Sequence, residues 1–180
     1  MENTIFSILD KMKEIKYGWV DQYGVVHKNA GRNFFINNYR LQTIEETLEY
    51  KIGTCWEQVE LIRNYLEKSN IPVQTFIIMY NDESKIAKHT IAIANCNNKY
   101  YWMESSWNNT NIISYNNIEE ILQTLIEMFT KMYKINDFNI DKIEIYEYKK
   151  PREHLTYNEF TEFCRKQNKI ILNKTINENE

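Results

Sequence analysis

The feature that most constrains the fold is one helical pattern followed closely by three strand patterns. Apolar residues follow Cys55 at intervals of three or four up to Ser69, which predicts an amphipathic helix with one buried face. The next segments, 73–80, 86–94 and 99–105, are rich in β-branched and aromatic residues and are separated by short turn sequences. Such short connections favour antiparallel pairing. The sequence therefore predicts an α+β fold in which helices pack on an antiparallel sheet.

The segment before this helix predicts two further helices and a hairpin. Apolar spacing indicates a helix over about 4–16, and 18–27 has the pattern of two extended pieces around a turn. Residues 29–38 contain glycine and several asparagines, so we expect a loop there. Thr43 begins a capping-box pattern, and we expect the helix that it starts to end at Gly53 through a left-handed cap. Thr54 can cap the helix that follows.

The C-terminal part predicts two more helices and one strand. Asn117 can cap a helix with a broad apolar face, 143–148 alternates like a strand, and 157–167 has helical spacing. The length suits one core, and no linker-like composition divides the chain. We therefore expect a single domain over 1–172 and a polar tail over 173–180.

Charge and hydropathy exclude several classes of protein. The net charge of −3 and the pI near 5.7 give no basic surface for a nucleic-acid backbone. The N-terminus lacks a basic start and a continuous apolar run, and no later segment is apolar over the length of a membrane span. We expect a cytoplasmic protein that binds neither nucleic acid nor membrane, while the oligomeric state stays open.

The three cysteines, Cys55, Cys96 and Cys164, are far apart in the sequence. Their spacing fits neither a disulfide framework nor a zinc site, so we expect free thiols, no metal and no cofactor. Cys96 falls in a predicted hairpin and Cys164 in a late helix, each without a base placed next to it. Only Cys55 stands at a predicted helix start, where the partial positive charge favours a thiolate.

A histidine and a carboxylate follow Cys55 on the predicted strands. An imidazolium at His89 would favour the thiolate of Cys55 and later protonate a leaving group, and Glu104 would orient that imidazole and offset its charge. The backbone N–H of Cys55 would donate to a developing oxyanion. These arguments predict a cysteine hydrolase or acyltransferase in which Cys55 has a pKa below the ordinary 8.5 or so of a thiol.

The register of the second hairpin decides whether His89 and Glu104 meet. A two-residue turn at Asn97–Asn98 places Glu104 opposite Ile91, one same-face step from His89, whereas a turn at 96–97 places it opposite His89 itself. Either turn puts both side chains on one face, about 4.5 to 8 Å apart at Cβ. An odd-length loop would separate them.

These motifs resemble those of the transglutaminase-like superfamily, whose core is shared with papain-type cysteine proteases. The resemblance rests on Gly53-Thr-Cys-Trp-Glu-Gln58, on His89 opening an apolar strand, and on an aromatic strand that ends in Glu104. It covers roughly residues 17–107. It implies a helix that bears the cysteine, packed on an antiparallel sheet that bears the other two residues, and acyl chemistry on an amide.

The sequence also departs from the usual pattern of that superfamily. Glu104 stands where aspartate is common, and Trp56-Glu57 stands where an Arg/Trp-Asp pair is common. An upstream tryptophan supplies the second oxyanion donor in transglutaminases, and Trp19 resembles it. The longer carboxylate leaves a triad of Cys55, His89 and Glu104 possible but changes its geometry.

The sequence thus predicts an enzyme that forms an acyl-thioester on Cys55 and acts on a peptide or side-chain amide of a protein or peptide substrate. Members of the superfamily include proteases, deamidases and protein-glutamine acyltransferases. Because a dedicated amine site is not evident, we expect water to be the main acceptor. The alternative is a non-catalytic binding module on the same scaffold.

Overall fold

The structure is a computed structural model that describes residues 2–29, 31–83, 85–107, 113–135 and 138–171. The helices of the described chain, in order, are α1 (Glu2–Met12), α2 (Arg32–Asn38), α3 (Ile44–Tyr50), α4 (Cys55–Lys68), α5 (Ile118–Met132) and α6 (Tyr157–Arg165), with a 3₁₀ turn at Ile140–Lys142 before the last strands. The strands, in order, are β1 (Lys16–Tyr17), β2 (Trp19–Val20), β3 (Val26–His27), β4 (Ile52–Gly53), β5 (Val73–Asn81), β6 (Ile86–Cys96), β7 (Lys99–Met103), β8 (Ser114–Tyr115), β9 (Ile143–Tyr148) and β10 (Asn168–Ile170). The predicted tail over 173–180 lies outside the described residues.

The main sheet has six strands in the order β10-β9-β5-β6-β7-β8, and every neighbouring pair is antiparallel. Its centre is the long pair of strands β5 and β6. Their pairing runs without a bulge from Val73 opposite Ala94 to Asn81 opposite Ile86. The predicted α+β fold with an antiparallel sheet is therefore confirmed. The short edge strands β8 and β10 were not predicted, because two or three residues carry too little periodicity to be recognised.

The turn between β6 and β7 has the two-residue form. Asn97 and Asn98 have φ values of 54° and 58°, in the left-handed region that asparagine tolerates better than most residues, and they join Cys96 to its partner Lys99. The same register pairs Ala92 with Met103. Of the two turns left open by the sequence, the structure has the one at Asn97–Asn98, and it places Glu104 on the same sheet face as His89.

Helices cover both faces of the main sheet. On one face, α4 packs with α1 and α6, and its Val59 and Ile62 belong to the same core cluster as Ala92 of β6. On the other face, α5 packs Leu122 and Leu125 against apolar residues of the sheet. Burial of apolar side chains on both faces accounts for the nearly continuous apolar character of the central strands.

The start of α4 is set by a capping box that is entirely buried. The hydroxyl of Thr54 accepts from the N–H of Trp56, and the carboxylate of Glu57 accepts from the N–H of Thr54 at 2.8 Å. The predicted cap at Thr54 is confirmed. These bonds fix the helix to begin at Cys55, which places the thiol at the positive end of the helix dipole.

Two predictions about the segment before α4 are wrong. Residues Arg32–Asn38 form the helix α2 instead of a loop, because Phe35 packs on Trp19, Tyr39 and Tyr157 and this packing outweighs the weak helix propensity of asparagine and glycine.

The predicted left-handed cap at Gly53 is the second wrong prediction. The helix α3 ends at Tyr50, and its left-handed cap is Lys51, with a φ of 50°. Gly53 lies in β4 and pairs with Tyr17 of β1 in parallel. It is required there by close packing, since a Cβ atom would stand 2.8 Å from the Cβ of Glu57. The predicted hairpin over 18–27 is present as β2 and β3.

In the described part of the chain, no helix combines the length and the apolar character needed to cross a membrane. The cysteines Cys55, Cys96 and Cys164 are all free and buried, in agreement with the prediction of free thiols.

Candidate active site

Cys55 is the first residue of α4, and its thiol lies against the middle of β6. The backbone N–H and the hydroxyl of Thr90 lie near the sulfur and act to lower the pKa of the thiol. The hydroxyl of Thr90 is buried and has no hydrogen-bond partner among the described residues. Only 6% of the surface of Cys55 is exposed, so the thiol is covered in this structure.

His89 and Glu104 form a buried pair beside this position. The imidazole Nε2 of His89 lies 3.5 Å from Oε1 of Glu104, an ion-pair distance slightly longer than an ordinary hydrogen bond. The ring of Trp107 stacks on the imidazole with a centroid separation of 3.6 Å and an interplanar angle of 10°. The histidine is therefore held between a carboxylate and an aromatic plane.

Glu104 also accepts hydrogen bonds from the turn that follows it, a role that was not predicted from the sequence. Its Oε1 accepts from the N–H of Ser106 at 2.7 Å and from the Ser106 hydroxyl at 2.6 Å, and both oxygens accept from the N–H of Trp107. One carboxylate therefore positions both the ring that stacks on His89 and the imidazole itself. The only sequence signal for this role was the pair of serines that follows Glu104.

The alternation of β6 places the two parts of the site on different faces of the sheet. Thr90 points toward α4, whereas His89 points toward the other face, together with Trp107. The last residue of β7, Met103, pairs with Ala92, so in the described chain β6 has no strand neighbour on that side before Ala92. Cys55 lies near Thr90, the residue after His89, and the charge of Glu104 acts on its thiol. The structure thus pairs His89 with Glu104 and places Cys55 near the next residue of β6, while a contact between Cys55 and His89 stays a prediction.

Burial sets the protonation of the resting site. Removal from water raises the pKa of Cys55 to about 12, and the negative charges of Glu57 and Glu104 act in the same direction. Burial also lowers the pKa of His89, although Glu104 opposes that shift. The expectation of a depressed pKa at Cys55 is therefore wrong for the closed site, because it counted the favourable charges and left out desolvation.

The pKa of Glu104 is lowered. Burial raises it, but the His89 ring, the Ser106 hydroxyl and the N–H of Trp107 together outweigh burial. The carboxylate is therefore ionised at neutral pH and available to stabilise an imidazolium at His89.

Two partly buried tyrosines lie near the thiol, and the sequence singled out neither of them. Burial raises the pKa of Tyr133 and Tyr157, and the nearby Cys55 adds to the shift in each case. The hydroxyl of Tyr133 donates to the carbonyl of Lys88 at 2.9 Å. Local spacing could not predict either position, because Tyr133 follows α5 and Tyr157 begins α6, both far from Cys55 in the chain.

Trp19 belongs to the same core cluster as Cys55. Its indole stacks on His27 with a centroid separation of 4.4 Å and also contacts Phe35 and Tyr39. His27 is in turn held by Asp21, whose Oδ2 lies 2.9 Å from Nε2. Trp19 is thus anchored by neighbours on both sides, and its role as an oxyanion donor stays a prediction.

Glu57 is a second buried carboxylate close to Cys55. It accepts from the hydroxyl of Tyr39 at 2.5 Å, from the hydroxyl of Thr54 at 2.6 Å and from the N–H of Gln42 at 3.3 Å, in addition to the N–H of Thr54. Burial raises the pKa of Glu57 in spite of these donors. Every acceptor direction is occupied by protein, so Glu57 supports the structure of the site and is not exposed to a substrate.

Within the described ranges, no group of three or more His, Cys, Asp or Glu side chains is placed to hold a metal ion.

The fold and the site define an α+β protein whose sheet carries a histidine–carboxylate pair next to a helix-borne cysteine. Residues 2–146 match the family model described as a transglutaminase-like domain, which covers most of the chain. The chain therefore belongs to the transglutaminase-like family. A comparison with curated proteins finds no match.

Proposed function

We propose that the protein is a cysteine-dependent hydrolase that cleaves a peptide or side-chain amide of a protein or peptide substrate through an acyl-thioester on Cys55. The observation that carries this proposal is the buried pair of His89 and Glu104, 3.5 Å apart, since His89 directly precedes Thr90, the residue that lies near the Cys55 thiol. Membership of the transglutaminase-like family supports it.

In the proposed reaction, His89 takes the thiol proton as the sulfur of Cys55 attacks the carbonyl carbon of the amide. The imidazolium then gives that proton to the amide nitrogen as the C–N bond breaks, and an amine leaves. His89 next removes a proton from water, the hydroxide displaces the thiolate from the acyl carbon, and a carboxylic acid is released. The net reaction is hydrolysis of the amide.

A neutral thiol at Cys55 and a neutral imidazole at His89 are compatible with the proposed reaction. Transfer of a proton from Cys55 to His89 creates both charges at once, with no proton taken from solvent, and each new charge has a partner in place. The thiolate receives the N–H and hydroxyl of Thr90 and the N-terminus of α4, while Glu104 faces the imidazolium. We propose the backbone N–H of Cys55 and the indole of Trp19 as donors to the oxyanion.

Water is the proposed acyl acceptor. Its concentration of about 55 M favours hydrolysis unless the site excludes water and holds an amine. A glutamine-containing peptide library is incubated with a labelled primary amine at millimolar concentration, and released ammonia and acid are compared with incorporated label. We expect acid to dominate and both products to vanish in Cys55→Ala. Cys55-dependent incorporation of the amine as the main product would identify a transglutaminase instead.

Reactivity of the thiol tests the pairing of Cys55 with His89. We expect iodoacetamide to alkylate Cys55 faster than Cys96 or Cys164 at neutral pH, because in the proposed reaction His89 takes the proton of the Cys55 thiol. Mass spectrometry of the three cysteine peptides against time gives the rates. In His89→Ala the rate at Cys55 should fall by about tenfold or more, to the level of the buried cysteines.

A buried thiol with a raised pKa also favours the second candidate function, a binding module on the same scaffold. Equal and slow alkylation of all three cysteines in the wild-type protein, unchanged in His89→Ala, would favour that module over the hydrolase.

A further inference from the structure

Lys88 is a half-buried cation on the face of β6 that also carries Thr90. Its ammonium lies 4.1 Å from the ring centre of Tyr157 and donates to the hydroxyl of Thr161 at 2.7 Å. In the described part of the chain Lys88 makes no ion pair. An ammonium has three N–H donors, so a desolvated one with a single acceptor and an aromatic face is left without a counter-charge.

The charges around Lys88 are mainly positive. Burial lowers its pKa to about 8, and the guanidinium groups of Arg165, at the end of α6, and Arg32, at the start of α2, add to the shift. The opposing Glu162 is paired with Arg165 at 3.2 Å, and burial raises the pKa of Cys164, so its thiol carries no charge at neutral pH. Arg32 is exposed and forms no ion pair with any residue that the structure describes.

This cationic cluster adjoins the candidate active site. Lys88 and Thr90 are two residues apart on one strand face, which is roughly 7 Å between Cα atoms, and Thr90 contacts the thiol of Cys55. Tyr157 contacts both Lys88 and the start of α4. Its ring stacks on Trp56, the residue after Cys55, with a centroid separation of 5.2 Å. A group bound at Lys88 would therefore belong to the same substrate as the amide at Cys55.

We propose that Lys88 and Arg32 form a subsite that binds a carboxylate of the substrate, either an acidic side chain near the reacting amide or a free C-terminus. A carboxylate would supply the acceptors and the negative charge that the ammonium lacks, and Arg32 would contact it from the solvent side. The subsite rests on the proposed function for its role, but its existence can be measured without turnover.

The probe is a set of N-acetylated, C-amidated hexapeptides with glutamine at the third position, in which each other position in turn carries Asp or its neutral isostere Asn. A second set compares a free with an amidated C-terminus. Binding to Cys55→Ala is measured by calorimetry at pH 6.5. We expect at least one acidic peptide to bind roughly tenfold more tightly than its neutral counterpart, the size of one hydrogen-bonded charge contact. The set in which the preference occurs identifies the source of the carboxylate.

Three further measurements assign the preference to this cluster. In the Cys55→Ala background, Lys88→Met should reduce the preference for the acidic peptide to about twofold or less. Arg32→Gln, an exposed change that leaves the packing intact, should reduce that preference in part. The exposed Lys131→Met on α5 is the matched control and should leave it unchanged. At pH 9.5 the preference should weaken because Lys88, with a pKa of about 8, loses its charge.

Equal affinities for acidic and neutral peptides would overturn the subsite, and so would a preference that persists in both variants or a lack of binding at millimolar peptide. The outcome is separate from that of the hydrolase test. A preference that depends on Lys88, in a protein that releases no acid with Cys55 intact, would leave the subsite in place and remove the proposed reaction.

Discussion

Replacing Glu104 by alanine is expected to lower kcat/KM for amide hydrolysis by about 10²- to 10⁴-fold, the range for loss of a carboxylate that orients a catalytic histidine. The carboxylate faces Nε2 of His89 and also holds the N–H groups of Ser106 and Trp107. Alanine removes the counter-charge of an imidazolium and the acceptor of the turn that positions Trp107. Steady-state kinetics on the substrate found in the library assay measure the loss.

Two further variants separate these roles. Glu104→Gln keeps an oxygen for the turn but loses the charge, so its activity should lie between the wild type and Glu104→Ala. Ser106→Ala removes one donor to Oε1 and leaves the charge, and should change kcat/KM by less than about fivefold. Full activity in Glu104→Ala would remove Glu104 from the site, whereas a large loss in Ser106→Ala would show that the turn matters more than the charge.

Replacing Glu57 by alanine is expected to lower the free energy of unfolding by roughly 3 kcal/mol, because several buried donors would lose their acceptor at once. The donors are the hydroxyls of Tyr39 and Thr54 and the N–H groups of Gln42 and Thr54. Denaturant unfolding followed by circular dichroism gives the change.

The same capping box occurs in an exposed form at the start of α6, which offers a matched control. There Thr156 and Glu159 exchange the same bonds as Thr54 and Glu57, but in contact with water, so Glu159→Ala should cost far less than Glu57→Ala. Similar losses for the two variants would contradict the assignment of the effect to burial.

The pH dependence of Glu57 has a definite sign. Burial raises its pKa above that of the unfolded chain, so its contribution to stability is fully present below the ordinary value of 4.5 and is lost as the pH rises through the raised value. The difference in stability between the wild type and Glu57→Gln should therefore be larger at pH 4 than at pH 7.

Local chemistry was enough to predict the centre of the fold. The apolar spacing after Cys55, the cap at Thr54 and the turn at Asn97–Asn98 act between residues that are close in the chain, and each has the predicted form. The turn mattered most, since a two-residue loop is what places Glu104 on the face of His89. The sequence therefore predicts the pairing of His89 with Glu104 that the structure contains.

The sequence by itself determined the order and pairing of the central elements, because hydrophobic periodicity, capping and turn conformation are properties of neighbouring residues. Only the tertiary structure decided the helix at Arg32–Asn38, the raised pKa of Cys55 and the surroundings of Lys88. Each depends on burial by segments far away in the chain, and desolvation and long-range packing have no signature in local spacing.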